Sequence, residues 1–129
     1  MTLLVLPGAV DPHVHLRDME WSHKATVERE TAAALAGGYW AVLDMPNTPP
    51  ATTTASRLAE KGAFVASQAR CDVGLYMGAD QHATGADYAV AAERAVGLKM
   101  YCDQTTGDLL LADQATRRRH LLAWAAATD

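Results

Sequence analysis

The sequence contains only two cysteines, and they stand far apart. Cys71 and Cys102 do not form a CxxC pair, so the sequence indicates neither a zinc knuckle nor a dithiol redox motif. We expect both side chains to be reduced thiols. A function based on paired cysteines is therefore not indicated.

The sequence also lacks long basic runs and a long uninterrupted apolar run. Eleven Lys and Arg residues stand against fifteen Asp and Glu, giving a net charge of −4, and the longest basic run is residues 117–119. Nucleic acid is therefore not an expected partner. Residues 1–10 are apolar, but they have no basic start and are interrupted by Pro7 and Gly8. They predict neither a signal peptide nor a membrane span, and we expect a cytoplasmic protein.

Half of the 129 residues are hydrophobic and a fifth are charged, as is typical of one soluble globular domain. Short apolar runs bounded by Gly, Pro and Asp predict four buried strands, at residues 9–16, 39–45, 72–77 and 96–101. Helical stretches are predicted at about residues 24–36, 54–69, 86–95 and 113–127. Ser22 is available to cap the first helix, and Gly37 and Gly38 to end it.

Strands that alternate with helices at this spacing predict parallel βα units with right-handed crossovers. A complete (β/α)8 TIM barrel needs eight units and typically ~250 residues, so four units supply about half of one. A small open α/β sheet that is complete as it stands is the alternative. Composition alone does not choose between the two.

Two histidines lie two residues apart in the first predicted strand. His13 and His15 therefore leave the same face of that strand. Neutral imidazole is a common zinc ligand, and two imidazoles would provide half of a tetrahedral shell. The alternative is an ordinary pair of polar strand residues.

Two further polar residues suit an anionic ligand. Arg17 would share the face of His15 if the strand persists, and its planar guanidinium suits a carboxylate; a surface ion pair with Asp18 is the alternative. Asn47 lies in the loop of residues 44–50, which follows the second strand, where a parallel barrel places its site-forming loops. Its amide can donate and accept there, although such a loop is also ordinary turn chemistry.

Lys99 lies inside an otherwise apolar predicted strand, where a lysine is costly to bury. A desolvated lysine can lose its proton and react with carbon dioxide, which gives a carbamate whose two oxygens can bridge two metals. A lysine that reaches from the strand end to water is the alternative.

Four segments together resemble the dihydroorotase family of the amidohydrolase superfamily. They are residues 7–18 (PGAVDPHVHLRD), 31–38 (TAAALAGG), 45–48 (MPNT) and 97–101 (GLKMY). HxH marks the superfamily, whereas HLRD with MPNT resembles dihydroorotase rather than hydantoinase or allantoinase. The resemblance extends from Pro7 to about Leu109 and implies a metal-dependent TIM barrel.

The resemblance also implies roles for individual residues. His13 and His15 would bind the more buried of two Zn²⁺ ions, and a carboxylated Lys99 would bridge the pair. Arg17 and Asn47, with Thr105 in the segment of residues 103–107, would hold the substrate. The implied reaction is the reversible cyclisation of N-carbamoyl-L-aspartate to L-dihydroorotate, in pyrimidine biosynthesis. Self-association or association with aspartate carbamoyltransferase is the implied partnership.

Some family positions have no counterpart in this sequence. Two further metal-binding histidines and a general-base aspartate are expected beyond residue 129, so no catalytic residue is assigned. We expect His23, His82 and His120 to be surface residues, since none matches a family motif. Residues 1–129 are thus expected to be the N-terminal half of a barrel domain, a fragment inactive by itself. The alternatives are another cyclic amidohydrolase, an allantoinase or a hydantoinase, or a noncatalytic dihydroorotase-like partner subunit.

Overall fold

The computed structural model describes residues 3–105 and 108–129, which form a parallel sheet with helices between its strands. The elements in chain order are β1 (Ala9–Val14), α1 (Val27–Ala36), β2 (Tyr39–Asp44), α2 (Ala55–Ala66), β3 (Asp72–Gly78), α3 (Gly85–Ala91), β4 (Gly97–Lys99) and α4 (Gln114–Thr128). Neighbouring strands follow the chain order β1-β2-β3-β4, and every pair is parallel. The predicted succession of parallel βα units is confirmed.

Capping side chains fix where the helices begin. The N-cap residues are Thr26, Thr54, Thr84 and Asp113, and each accepts a hydrogen bond from a backbone N–H in the first turn. The prediction that Ser22 caps the first helix is wrong, because the residues after it first form a turn in which Lys24 N–H donates to the Trp21 carbonyl.

Glycine ends the first helix as predicted. Gly37 is the C-cap, and its N–H donates to carbonyls of the last turn. Gly38 follows with φ 89°, a backbone conformation that glycine adopts without steric cost.

The hydrophobic core joins the middle of the sheet to the helices. Strand residues Val42, Leu75 and Met77 pack in one cluster with Leu58 and Val65 of α2. Removing this apolar surface from water is the main stabilising term for such a fold. No helix among the described residues is both long and apolar enough to cross a membrane.

The first strand ends earlier than predicted, at Val14 instead of Leu16. Leu16 N–H donates to the side-chain carboxylate of Asp44 (2.8 Å) rather than to a backbone carbonyl of the neighbouring strand. The next three residues, Arg17, Asp18 and Met19, then have φ of 60°, 60° and 51°. This left-handed region is unfavourable for residues other than glycine and breaks the strand direction.

The fourth strand is also shorter than predicted, covering Gly97–Lys99 rather than residues 96–101. Its hydrogen-bonded partner is β3, where Gly78 lies opposite Lys99. Two residues further on, Tyr101 pairs with Leu110 in an isolated bridge. The short strand places Lys99 at the carboxyl end of the sheet.

Candidate active site

The carboxyl ends of the parallel strands meet at one edge of the sheet, and the predicted site residues lie there. His15 directly follows β1, Asn47 lies three residues after β2, and Lys99 is the last residue of β4. The register sets Val14 opposite Asp44 at this edge. This is the edge at which (β/α)8 barrels carry their active sites.

The two histidines of β1 lie close together but in different environments. Their ring centroids are 5.5 Å apart with planes inclined at 57°. His13 is exposed and His15 is half-buried. His15 Nδ1 lies 2.9 Å from Oδ1 of the buried Asn47. Nδ1 can therefore donate its hydrogen to the amide oxygen, which leaves the Nε2 lone pair of His15 free for another ligand.

The surroundings of His15 favour its neutral form. Burial lowers the pKa of His15, and the charge of Arg17 lowers it further. The hydrogen bond with Asn47 and the charge of Asp44 act in the opposite direction but do not prevail. Neutral imidazole is the form that binds a metal ion.

The donor set fits part of a metal site. The imidazoles of His13 and His15 would account for half of a tetrahedral zinc shell, and His15 has the second hydrogen bond that metal-binding histidines typically make. Within residues 3–105 and 108–129, no group of three His, Cys, Asp or Glu side chains converges on a common point. The described residues could therefore supply some, but not all, of the ligands such a site needs.

Arg17 is positioned by backbone geometry and not by strand alternation. The expectation that it shares the face of His15 depended on the strand persisting, and the strand does not persist, because β1 ends at Val14 and the φ of Arg17 is 60°. Its guanidinium carbon lies 5.2 Å from the Trp21 ring centroid. Asp18 is buried and accepts backbone N–H groups from Met19 (2.9 Å) and Val27 (2.7 Å). Asp18 therefore serves the turn, which argues against a simple surface ion pair.

Asn47 and Thr105 line two different cavities. Asn47 borders one of about 650 Å³, together with Asp80, His82 and Leu109. Thr105 borders a second of about 700 Å³. Gln81 and Asp108 line both cavities, so the two adjoin. Thr106 and Gly107, the end of the predicted substrate-covering segment, lie outside the described residues.

Lys99 is half-buried and lies near Tyr101, whose pKa responds to burial and to charges at the ends of β1 and β2. The Lys99 ammonium lies 5.1 Å from the Tyr101 ring centroid. Burial, followed by the charge of Asp44, raises the pKa of Tyr101 to about 12, and the charge of Arg17 opposes both effects. Tyr101, after β4, therefore shares an electrostatic environment with residues at the ends of β1 and β2.

Sequence reasoning missed a buried ion pair beneath this edge. Asp44 is 1% exposed and Lys61 of α2 is 3% exposed. The Lys61 ammonium lies 2.6 Å from Asp44 Oδ2, a charge contact and not a well-aligned hydrogen bond, and it donates to the Met45 carbonyl at 3.4 Å. A signal was present: Lys61 lies three residues after Leu58 and four before Val65, on the apolar face of the helix.

The prediction that His120 is a surface residue is wrong. Its side chain is 1% exposed, and Nδ1 lies 2.7 Å from the hydroxyl of Tyr88. Burial strongly raises the pKa of Tyr88, so the phenol stays protonated and donates to His120. Burial, followed by the charge of Arg119, lowers the pKa of His120. The hydrogen bond between Tyr88 and His120 connects α3 to α4. The other two histidines in question, His23 and His82, are exposed as predicted.

Known proteins resemble this chain in sequence and in fold. A family model described as "Dihydro-orotase-like" matches residues 2–107. Multifunctional protein pyr1-3 of Dictyostelium discoideum is 39% identical over 127 residues, which cover 98% of this chain and 6% of that protein. Dihydroorotase of Methanosphaera stadtmanae is 36% identical over 107 residues, which cover 83% of this chain and 24% of that protein.

A solved structure shows the same architecture. The L-hydantoinase (dihydropyrimidinase) of Arthrobacter aurescens superposes with a TM-score of 0.85 at 27% identity, over 94% of this chain and 27% of that one. The matched residues thus span between 6% and 27% of the length of these proteins. The prediction of about half of a TIM barrel is confirmed. Proteins of this kind are generally metal-dependent. Because the family model covers most of its length, this chain belongs to the dihydroorotase-like family of amidohydrolases.

Proposed function

We propose that this protein takes part in the reversible cyclisation of N-carbamoyl-L-aspartate to L-dihydroorotate, as a zinc-dependent amidohydrolase of pyrimidine biosynthesis. The contact between His15 and Asn47 (2.9 Å) carries the proposal. It joins the HLRD segment after β1 to the MPNT segment after β2, the two motifs whose combination distinguishes dihydroorotase from related amidohydrolases. In this proposal residues 1–129 are the N-terminal half of the barrel domain, and the protein is cytoplasmic.

The proposed metal-binding residues are His13, His15 and Lys99. Asn47 would hold His15 in the tautomer that directs the Nε2 lone pair toward the metal. Lys99, carboxylated on its side-chain nitrogen, would provide an anionic bridge. When bound, two zinc ions would supply an activated water and polarise the amide carbonyl.

The proposed substrate-binding residues are Arg17, Asn47 and Thr105. Arg17 presents a planar, positively charged set of donors that suits a carboxylate. Holding the substrate carboxylate aligns the ring amide, so that binding energy is used for orientation. A hydantoinase or allantoinase activity would not require this carboxylate contact, which is why Arg17 favours an anionic cyclic amide.

We further propose that the protein associates either with itself or with aspartate carbamoyltransferase. The second possibility is supported by the match to a protein named as multifunctional; the 127 matched residues cover 6% of that protein. A noncatalytic role as a partner subunit is disfavoured because His13, His15 and Lys99 are all present.

The test is dihydroorotate hydrolysis by the zinc-loaded full-length protein and its Lys99→Ala variant. The variant should lose most activity, because two cations held ~3.5 to 4 Å apart repel without an anionic bridge. Acetate or propionate should restore part of the activity by occupying the same place. Replacing the exposed Arg94 with alanine is the control and should change little. Near-normal turnover by Lys99→Ala without added acid would show that Lys99 is a structural strand residue.

A further inference from the structure

The buried pair of Asp44 and Lys61 adjoins the backbone that leads into Arg17, the proposed anion-binding residue. Asp44 Oδ1 accepts the N–H of Leu16 at 2.8 Å, and Leu16 immediately precedes Arg17. A carboxylate is thus held at the backbone of the residue before Arg17, whose guanidinium is proposed to bind the substrate. Unpaired, this carboxylate would attract Arg17 and repel an anionic ligand.

Lys61 is suited to cancel that charge. Its ammonium lies 2.6 Å from Asp44 Oδ2, and the two side chains are 4% and 0% exposed. Since water is nearly absent around the pair, the field of each charge is offset mainly by the other and not by solvent. Stability alone is a weak reason for such a pair, because well-packed apolar residues are often as stabilising.

Electrostatic effects on neighbouring groups agree with this arrangement. Asp44 and Arg17 act in opposite directions on the pKa of His15, and also on the pKa of Tyr101. The carboxylate and the guanidinium therefore influence the same small region. The balance of positive charge there depends on whether Asp44 is neutralised.

We propose that Lys61 is a specificity-determining residue, which neutralises Asp44 so that Arg17 remains available for the carboxylate of an anionic cyclic amide. This inference rests on the proposed function for the identity of the ligand. Lys61 does not touch the substrate. It acts through Asp44, with which it is paired.

The two single substitutions should change anion affinity in opposite directions. Lys61→Met leaves the Asp44 carboxylate uncompensated and should weaken orotate binding about tenfold. Asp44→Asn leaves the ammonium uncompensated, retains an oxygen that can accept Leu16 N–H, and should tighten orotate binding several-fold. The double variant should bind orotate with nearly the affinity of the unmodified protein. If the pair only supported the fold, Asp44→Asn would weaken orotate binding as Lys61→Met does.

The measurement is titration of the full-length protein with orotate, followed through the side-chain Nε–Hε resonance of Arg17. Arg57→Met is the matched control, since it removes a positive charge from the exposed Arg57–Glu60 pair of the same helix. Orotate affinity should not change in that variant. Weakened binding by both single variants, or a double variant as weak as Lys61→Met, would overturn the inference. If Lys61→Met does not fold, the other two variants still test the inference. Asp44→Asn should bind orotate more tightly, and the double variant should bind it with nearly the affinity of the unmodified protein.

Turnover is measured separately, as the KM and kcat for dihydroorotate. Lys61→Met should raise KM more than it lowers kcat, because Lys61 acts on binding and not on the reacting bond. A protein that binds orotate with the expected changes but hydrolyses no dihydroorotate would refute the proposed function and support the role of Lys61. Normal turnover with unchanged KM in Lys61→Met would refute the role of Lys61 alone. Absence of both binding and turnover would refute both.

Discussion

Replacing Lys61 with methionine should destabilise the protein far more than the same replacement of Arg57, although both residues lie on α2 and both are ion-paired. The Lys61–Asp44 pair is buried, with side chains 4% and 0% exposed, whereas those of Arg57 and Glu60 are 46% and 54% exposed. Removing one partner of a buried pair leaves an uncompensated charge and costs about 3–5 kcal/mol. Breaking an exposed pair costs only about 0–1 kcal/mol.

The free energies of unfolding should be compared by urea denaturation followed by circular dichroism. A loss of this size is a large part of the roughly 5–15 kcal/mol by which proteins are stable. The double variant Lys61→Met with Asp44→Asn should recover much of it, because no buried charge remains. Equal losses for Lys61→Met and Arg57→Met would refute the reasoning, and so would a double variant less stable than Lys61→Met.

Three further predictions concern other parts of the structure. Burial lowers the pKa of His120 below about 6.5, so the folded protein binds this proton less readily than the unfolded chain. The Tm should therefore fall as the pH decreases from about 7.5 to 5.5, and less steeply for His120→Gln; equal slopes would contradict this. Asn47→Ala removes the contact with Nδ1 of His15 and should weaken zinc binding about tenfold or more in a zinc titration. Unchanged zinc affinity would argue against a role of Asn47 in orienting His15. Gly62→Ala should stabilise α2 by about 0.5–1 kcal/mol, because the nearest atom to the new Cβ lies at 3.9 Å. Gly74→Ala should cost about 1–3 kcal/mol, because its Cβ would come within 2.5 Å of a side chain; thermal unfolding that ranked these two variants in the reverse order would refute the packing argument.

Local patterns were enough to predict the succession of elements. Apolar runs and helical periodicity extend over a few residues, and Gly37 with Gly38 ends α1 as expected. The starts of helices were less predictable. Ser22 and Thr26 are both suitable caps by residue type, and only the fold shows that the chain completes a turn before Val27.

The sequence by itself determined the parallel βα architecture, the proximity of His13 and His15, and the family resemblance. These features depend on spacing along one strand or on alternation of short elements. Tertiary structure decided the course of the backbone at Arg17, because the carboxylate that ends β1 belongs to Asp44, 28 residues beyond the Leu16 whose N–H it accepts.

Tertiary structure also decided which polar side chains are buried. His120 could be assigned to the surface from its own helix, but Tyr88, 32 residues earlier, supplies the hydrogen bond that makes its burial possible. Lys61 is buried because the fold brings it to Asp44. A polar group enters a core only where a partner compensates its lost hydration, and that partner comes from whichever distant segment the packing brings alongside.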